Sequence, residues 1–312
     1  MKESNDMEPI KLIFDTDVGA DCDDMYALAY LAYAERSLGL QIKAITHSNG
    51  CDEGLAVIRS FFSFLGEPIP PLGRAHGIES HDGYCRAVAE RFASSEDYAD
   101  APDAVSVLRR ALVECDRAVI CGVGPLMNLA ALLESGPDEI SGLDGVSLVR
   151  ERCERVVVMA GRFDIPEPEW NAKVDAEATR TLVRLCPVPI VFSPFELGSD
   201  MITGGPLMDK YEEENPVSMS FCRYGRVKEK GGRHSWDPAT VLYAVEGCGE
   251  LFEESARGRV KVDADGTTTF CEGDGLHSVI SVKCPEGVSE AAAKARVAAR
   301  LDECALRLFE GL

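Results

Sequence analysis

The sequence lacks any apolar segment that resembles a membrane span or an export signal. No uninterrupted apolar run approaches the ~20 residues that cross a bilayer. The opening residues, MKESNDMEPIK, contain no apolar core of the kind found in secretory signals. We therefore expect a cytoplasmic protein with no attachment to a membrane.

Positive charge is also scarce. The 312 residues include 32 Lys and Arg against 53 Asp and Glu, which gives a net charge of -21. Such a surface repels the phosphate backbones that lysine and arginine normally bind. A nucleic-acid polymer is thus excluded as a partner, whereas a divalent cation or a small uncharged polyol is a favoured one.

Closely spaced cysteine pairs are missing as well. The 12 cysteines are scattered along the chain, and no CxxC pair occurs. In a chain without an export signal, this distribution is typical of reduced core residues and not of disulfides or zinc ligands.

What the sequence does contain is an alternation of short apolar runs and amphipathic segments, which predicts an α/β fold. The predicted strands are Ile10–Phe14, Gln41–Thr46, Ala118–Cys121, Arg155–Met159 and Ile190–Phe192. The predicted helices are Asp24–Leu38, Glu53–Leu65, Asp103–Glu114, Ala176–Leu185, Pro216–Lys228 and Pro238–Val245. This order favours a mainly parallel central sheet with helices on both faces.

The C-terminal part should add a small β-hairpin and a closing helix. Arg259–Val262 and Thr267–Cys271 flank the turn sequence Asp263-Ala264-Asp265-Gly266. The Ala-rich segment Glu290–Phe309 predicts the helix. Because no repeat or long linker interrupts the chain, we expect residues 1–312 to form a single domain.

The first predicted strand runs into a cluster of carboxylates, DTDVGADCDD, followed at once by a helix. Asp15 and Asp17 project to the same side of an extended chain, and Gly19 permits a turn that returns Asp23 and Asp24 beside them. Capping of the helix explains one or two of these aspartates but not the whole set. Clustered oxygen ligands suit Ca²⁺ or Mg²⁺, so we expect a metal or catalytic site.

Four motifs together resemble the inosine-uridine preferring nucleoside hydrolase family. The aspartate cluster is similar to its DxDxGxDD signature, with two extra residues before the final pair, a spacing similar to that of a bacterial branch. The other three motifs are the glycine-rich turn at Gly124-Pro125-Leu126-Met127-Asn128, Glu169-Trp170-Asn171, and Trp236-Asp237-Pro238. Their order and spacing agree with the family along nearly the whole chain.

This resemblance implies a nucleoside hydrolase-like fold and calcium-dependent hydrolysis of ribonucleosides or related N-ribosides. It implies a Ca²⁺ site formed by the carboxylates of Asp17, Asp24 and Asp237 and the carbonyl oxygen of Met127. It implies that the ribose hydroxyls are bound by Asp23, Asn49, Glu169 and Asn171. It also suggests a homodimer or homotetramer.

The chemistry explains why such groups are needed. Cleavage of an N-glycosidic bond passes through an oxocarbenium-like sugar, and a calcium ion can orient a water and the ribose hydroxyls together. Asp17, which would touch both metal and water, is the natural general base.

The group that protonates the leaving base stays open. Where some family members carry a histidine, this chain has Trp236, and an indole cannot donate a catalytic proton. Trp236 either stacks on the nucleobase or packs in the core. His81 and His234 are the nearby histidines in the sequence, although isolated loop histidines are more often simply solvated.

Two other functions fit part of the sequence. A nucleoside- or ribose-binding protein with weak or lost activity would also keep the calcium site. A haloacid-dehalogenase-like, Mg²⁺-dependent phosphatase would use Asp15 as its nucleophile, but it leaves the Glu169-Trp170-Asn171 and Trp236-Asp237-Pro238 motifs unexplained.

Overall fold

A computed structural model of the chain describes residues 9–76, 78–97 and 100–311. Most of the N-terminal segment on which the expectation of no export signal rests lies outside these residues. Among the described residues, no helix has both the length and the apolar character that a membrane span requires.

The elements follow the predicted alternation of strands and helices. The strands are β1 (Lys11–Thr16), β2 (Gln41–His47), β3 (Leu72–Arg74), β4 (Ala118–Gly122), β5 (Cys153–Met159), β6 (Ile190–Ser193), β7 (Ile202–Thr203), β8 (Arg233–His234), β9 (Phe252–Glu254), β10 (Gly258–Val262), β11 (Thr268–Glu272) and β12 (His277–Val282). The helices are α1 (Asp23–Leu38), α2 (Asp52–Leu65), α3 (Cys85–Phe92), α4 (Ala104–Val113), α5 (Met127–Glu134), α6 (Gly145–Arg152), α7 (Trp170–Val174), α8 (Ala176–Leu185), α9 (Phe195–Gly198), α10 (Gly205–Tyr211), α11 (Pro216–Arg223), α12 (Val227–Lys230), α13 (Trp236–Glu246) and α14 (Glu290–Phe309).

The main sheet has the order β11-β10-β12-β6-β5-β4-β1-β2-β3, with β9 paired to β12. The neighbours from β12 through β3 are all parallel, and β9, β10 and β11 are joined antiparallel at one end. The predicted α/β class with a mainly parallel sheet is confirmed. A continuous sheet from Lys11 to Val282 supports the single domain, which stays a prediction.

Apolar side chains project from both faces of the sheet, and helices pack on them on each side. Phe14 and Leu12 of β1 join a core with α1, α2, α13 and α14. Ile13, between them, joins a second core with α4, α5, α6 and α8. Alternate residues of a strand point to opposite faces, so this near-continuous apolar strand indicates a sheet covered on both sides.

Several features differ from the sequence prediction. The hairpin of β10 and β11 forms, but it extends the main sheet because β12, which was not predicted, pairs with β6. The predicted helix over 216–228 is two helices, since Gly225 adopts a positive φ of 49° between them. The three-residue strand β3 is too short to show a periodic pattern.

Candidate active site at the carboxyl edge of the sheet

A cavity of about 430 Å³ opens at the edge where the parallel strands end. Asp17 follows β1, Val123 follows β4 and Phe195 follows β6, and all three line it. Ligands of open α/β sheets bind in this position because the carboxyl ends of the strands meet there.

Four predicted aspartates form the acidic floor of this cavity. They are Asp17, Asp23, Asp24 and Asp237. The residue after β1 supplies one, the start of α1 supplies two, and the start of α13 supplies the last. Each is at most 7 % exposed.

Local hydrogen bonds fix the orientation of Asp24. The Thr16 hydroxyl and the backbone N–H of Asp17 both donate to Asp24 Oδ1, the latter at 3.2 Å. The other oxygen, Oδ2, is buried and has no hydrogen-bond partner. A buried carboxylate oxygen without a partner is costly, so this atom is available for a ligand.

Asp23 connects the two ends of the site. Its Oδ2 accepts the backbone N–H groups of Trp236 at 3.0 Å and Asp237 at 3.2 Å. Gly198 permits this approach, because a Cβ there would lie 2.5 Å from the Cα of Trp236. The chain thus brings the Trp236-Asp237-Pro238 motif against the N-terminal cluster.

The floor suits a divalent cation. Carboxylate oxygens of Asp23, Asp24 and Asp237 lie within 4.8 Å of one another. Burial first, and repulsion from neighbouring aspartates second, raise the pKa values of these three residues and of Asp17 well above their ordinary range. A bound cation would offset both effects, and an oxygen-only donor set is the kind that Ca²⁺ or Mg²⁺ prefers.

This arrangement predicts an unusual pH dependence of stability in the absence of a cation. Burial raises the pKa values of Asp15 and Glu169 to about 7. A group whose pKa is higher in the folded than in the unfolded protein stabilises the fold fully at pH values below its unfolded pKa. That stabilisation is lost as the pH rises through its folded pKa. Tm in EDTA should therefore fall between about pH 4 and pH 7.

Calcium should flatten this profile, because a positive charge favours the ionised carboxylates. Thermal unfolding across this range, with EDTA or with CaCl₂, measures the effect. Parallel profiles under the two conditions would show that no cation interacts with these carboxyl groups.

Glu169 and Asn171 also line the cavity. Glu169 caps α7 and accepts the N–H groups of Asn171 at 2.8 Å and Ala172 at 3.1 Å. The Asn171 amide nitrogen donates to the carbonyls of Val123 at 2.7 Å and Met159 at 3.0 Å. With both amide hydrogens used, Asn171 can only accept a hydrogen bond from a ligand, as a sugar hydroxyl would donate.

Two predicted residues lie outside the cavity lining. Asn49 is buried under the aspartate loop, where its amide donates to the carbonyls of Asp17 at 3.3 Å and His81 at 2.9 Å. Its contacts hold the loop in place. Met127 begins α5, just after Gly124, whose position leaves only 2.9 Å between an added Cβ and Asp17 Oδ1.

An aromatic wall rises above the acidic floor, formed by Trp170, Phe195, Tyr224 and Trp236. The Trp236 indole N–H donates to the Phe195 carbonyl at 2.8 Å, and the two ring centroids are 5.3 Å apart. Trp236 therefore faces the cavity with its ring while its polar atom is already bonded, so it offers a stacking surface and no proton.

Arg233 and Asp21, which the sequence analysis did not single out together, form a charged part of the wall. The Arg233 Nε lies 2.9 Å from Asp21 Oδ1, and its guanidinium lies 5.2 Å from the Trp236 ring centroid and 5.6 Å from that of Tyr224. Stacked and paired in this way, Arg233 holds the aromatic rings in position.

The two histidines considered as proton donors are placed differently. His81 lines the cavity, with its ring 6.2 Å from that of Trp170. His234 is not among the residues that line it, and its Nδ1 accepts the backbone N–H of Asp200 at 3.0 Å. Of the two, only His81 is positioned to approach a ligand.

The phosphatase alternative is not supported. Asp15 is fully buried, does not line the cavity, and its Oδ1 accepts hydrogen bonds from Thr46 at 2.5 Å and Asn128 at 2.7 Å. A nucleophile must reach its substrate, and this carboxyl group instead ties β1 to β2 and α5.

The parallel sheet and the aspartate-lined cavity at the ends of its strands define an α/β protein with a candidate cation-dependent active site. A sequence model of the family described as inosine-uridine preferring nucleoside hydrolase matches residues 12–306. The chain belongs to this family of N-glycosyl hydrolases, and the suspected resemblance is confirmed.

The individual proteins that the chain resembles share less than 30% of its residues. The chain is 27% identical over 266 residues to the uncharacterized protein C1683.06c of Schizosaccharomyces pombe, covering 76% of this chain and 80% of that one. The inosine-uridine preferring nucleoside hydrolase from Bacillus anthracis superposes with a TM-score of 0.63 at 16% identity, over 93% of this chain and 99% of that one.

Two further solved structures share the fold. An inosine-guanosine nucleoside hydrolase gives a TM-score of 0.68 at 18% identity, over 93% of this chain and 98% of that one. The type III effector protein XopQ complexed with adenosine diphosphate ribose gives 0.70 at 14% identity, over 95% and 94%.

Proposed function

We propose that this protein hydrolyses the N-glycosidic bond of ribonucleosides, or of a related N-riboside, in a Ca²⁺-dependent reaction. The observation that carries the proposal is the convergence of buried carboxylates on the cavity floor, where oxygens of Asp23, Asp24 and Asp237 lie within 4.8 Å of one another and Asp17 lines the same cavity. The family membership supplies the reaction type.

Ca²⁺ would be held by the carboxylates of Asp17, Asp24 and Asp237, with the Met127 carbonyl as a further ligand. Bound there, the cation would neutralise the carboxylates and help to orient the water and the sugar hydroxyls. Asp17 is the general base that removes a proton from the attacking water.

The ribose would lie between the two polar sides of the cavity. Asp23 on one side, with Glu169 and Asn171 on the other, would accept hydrogen bonds from its hydroxyls. These groups are held by backbone bonds before any ligand arrives, which lowers the entropic cost of positioning the sugar. Asn49 contributes by holding the Asp17 backbone, at 3.3 Å.

The nucleobase would lie against the aromatic wall. Because the Trp236 N–H is bonded to Phe195, the proton for the leaving group must come from elsewhere, and His81 is the histidine that lines the cavity. The assembly suggested by the family resemblance, a homodimer or homotetramer, and the cytoplasmic location stay predictions.

The proposal is tested by a reducing-sugar assay on a panel of purine, pyrimidine and pyridinium ribosides, with and without a chelator. Adenosine diphosphate ribose, the ligand of the structurally similar effector, belongs in the panel, with release of adenine as the readout because its terminal ribose is already a reducing sugar. We expect sugar release proportional to enzyme concentration, lost with chelator and restored by Ca²⁺.

Binding of a nucleoside without release of base over long incubation would instead indicate a nucleoside-binding protein. No binding and no release with any riboside would contradict the proposal.

Trp236 carries a separate prediction. If its ring stacks on the base, an interaction of about 0.5–1.5 kcal/mol beyond burial, Trp236→Ala should raise KM several-fold with little change in kcat. Trp236→Phe, which keeps a stacking surface, is the matched control and should retain most of the affinity.

Steady-state kinetics on one nucleoside distinguishes the outcomes. A fall in kcat with unchanged KM in Trp236→Ala would contradict the stacking role. Trp236→His would place an imidazole that can donate a proton at this position, and any gain in kcat should be largest for purine nucleosides.

A further inference from the structure

Two cysteines and an aspartate meet beside the cavity but outside its lining. The Sγ atoms of Cys51 and Cys85 and a carboxylate oxygen of Asp82 all lie within 4.8 Å of one another. Cys51 immediately precedes α2, and Cys85 is the first residue of α3. The scattered spacing of these cysteines in the sequence gave no sign of this arrangement.

The donor set differs in kind from that of the aspartate floor. Two thiols and a carboxylate suit Zn²⁺ or another thiophilic divalent cation, whereas Ca²⁺ and Mg²⁺ prefer oxygen ligands alone. A further carboxylate is close, because Glu53 Oε2 lies 3.6 Å from Cys51 Sγ. Three or four such ligands around one point are what a tetrahedral zinc site requires.

The cluster also contacts the loop that carries the aspartates. A Cβ added at Gly19 would lie 3.0 Å from Cys85 Sγ, so this thiol packs directly on the turn. The backbone N–H of Cys51 donates to Asn49 Oδ1 at 3.1 Å. The Asn49 amide nitrogen in turn donates to the Asp17 carbonyl at 3.3 Å.

We propose that Cys51, Asp82 and Cys85 form a second metal site, specific for Zn²⁺ or a similar thiophilic cation, which braces the aspartate loop from outside the reaction cavity. Binding converts the two thiols to thiolates, so each bound cation displaces their two protons to solvent.

The surroundings of the cluster fit this role. Both cysteines are at most 2 % exposed, whereas Asp82 is exposed and gives access from solvent. Arg86 lies 3.7 Å from the carboxylates of Asp82 and Glu53, where its exposed side chain can move away.

The test is a Co²⁺ titration of the metal-free full-length protein in reducing buffer, because Co²⁺ bound to thiolate gives a sulfur-to-metal charge-transfer band that oxygen ligands do not. We expect a saturable band in the wild type, abolished in Cys51→Ser and in Cys85→Ser. Asp82→Asn, at an exposed position, should keep the band but weaken binding about tenfold or more.

Cys271→Ser, at an exposed cysteine on β11, is the matched control and should titrate like the wild type. Zn²⁺ should displace the Co²⁺ band and raise Tm in the wild type but not in Cys51→Ser, whereas Ca²⁺ should leave the band unchanged. Tm without metal shows that each variant is folded.

Absence of the band in the folded wild type would overturn the proposal, as would its persistence in a Cys51→Ser, Cys85→Ser double variant. Neither outcome depends on nucleoside hydrolysis, so the second site and the proposed function can fail separately.

Discussion

Asp17→Asn should lower kcat by about 10²–10⁴-fold, the contribution typical of a general base, while leaving the protein folded. The amide can still offer an oxygen to a cation but cannot accept the proton of the attacking water. Asp17 lies on the cavity floor at 7 % exposure, so the loss should appear mainly in kcat and only slightly in KM.

Reducing-sugar release under saturating substrate and Ca²⁺ measures this effect. Asp209→Asn, which removes an exposed carboxylate, is the charge-matched control and should keep wild-type activity. An Asp17→Asn enzyme with normal kcat would assign the base to another residue.

Asp237→Ala should abolish tight Ca²⁺ binding and with it most of the activity. Asp237 is the second residue of α13 and brings a carboxylate from the C-terminal half of the chain to the cluster. Its loss removes a carboxylate ligand, and the remaining aspartates come from the N-terminal loop alone. Calorimetric titration with Ca²⁺ should show affinity reduced by about 100-fold or more, equivalent to ~2.7 kcal/mol.

Relative to the wild type, the free energy of unfolding of Asp237→Ala should differ between EDTA and Ca²⁺. With EDTA it should be at least as stable as the wild type, because burial and repulsion raise the pKa of Asp237 well above its ordinary range. With Ca²⁺ the wild type gains about 2.7 kcal/mol at a concentration of 100 Kd, and the variant does not. Lower stability of Asp237→Ala in both conditions would indicate a merely structural role.

Much of the fold could be predicted from the sequence because its apolar residues recur at the regular spacing of helices and buried strands. Long amphipathic helices such as Ala176–Leu185 and Glu290–Phe309 begin and end where predicted. The buried strands β1 and β2 agree to within two residues at each end. In contrast, β12 has no regular alternation of polar and apolar residues, and its pairing with β6 identifies it as part of the sheet.

The site residues that lie close together in the sequence could be predicted from it. The N-terminal aspartates share one turn, and Glu169 and Asn171 are two residues apart, so their proximity follows from chain geometry. Recognition of Asp237 depended on the family resemblance, since nothing local connects it to the cluster.

The remaining parts of the site depend on contacts between distant segments. Phe195, Tyr224 and Arg233 each belong to an ordinary local sequence, and only the folded chain brings them to one wall. The same reason applies to Cys51 and Cys85, which are unremarkable in the sequence and meet through the packing of α2 and α3.

The cation site is tested most directly by a crystal structure of the protein grown with CaCl₂, with the ion identified by anomalous scattering. We predict one Ca²⁺ on the cavity floor, bound to carboxylate oxygens of Asp17, Asp24 and Asp237 at about 2.3–2.6 Å. A cavity without a bound ion at saturating Ca²⁺, or an ion held without Asp237, would contradict the proposed site.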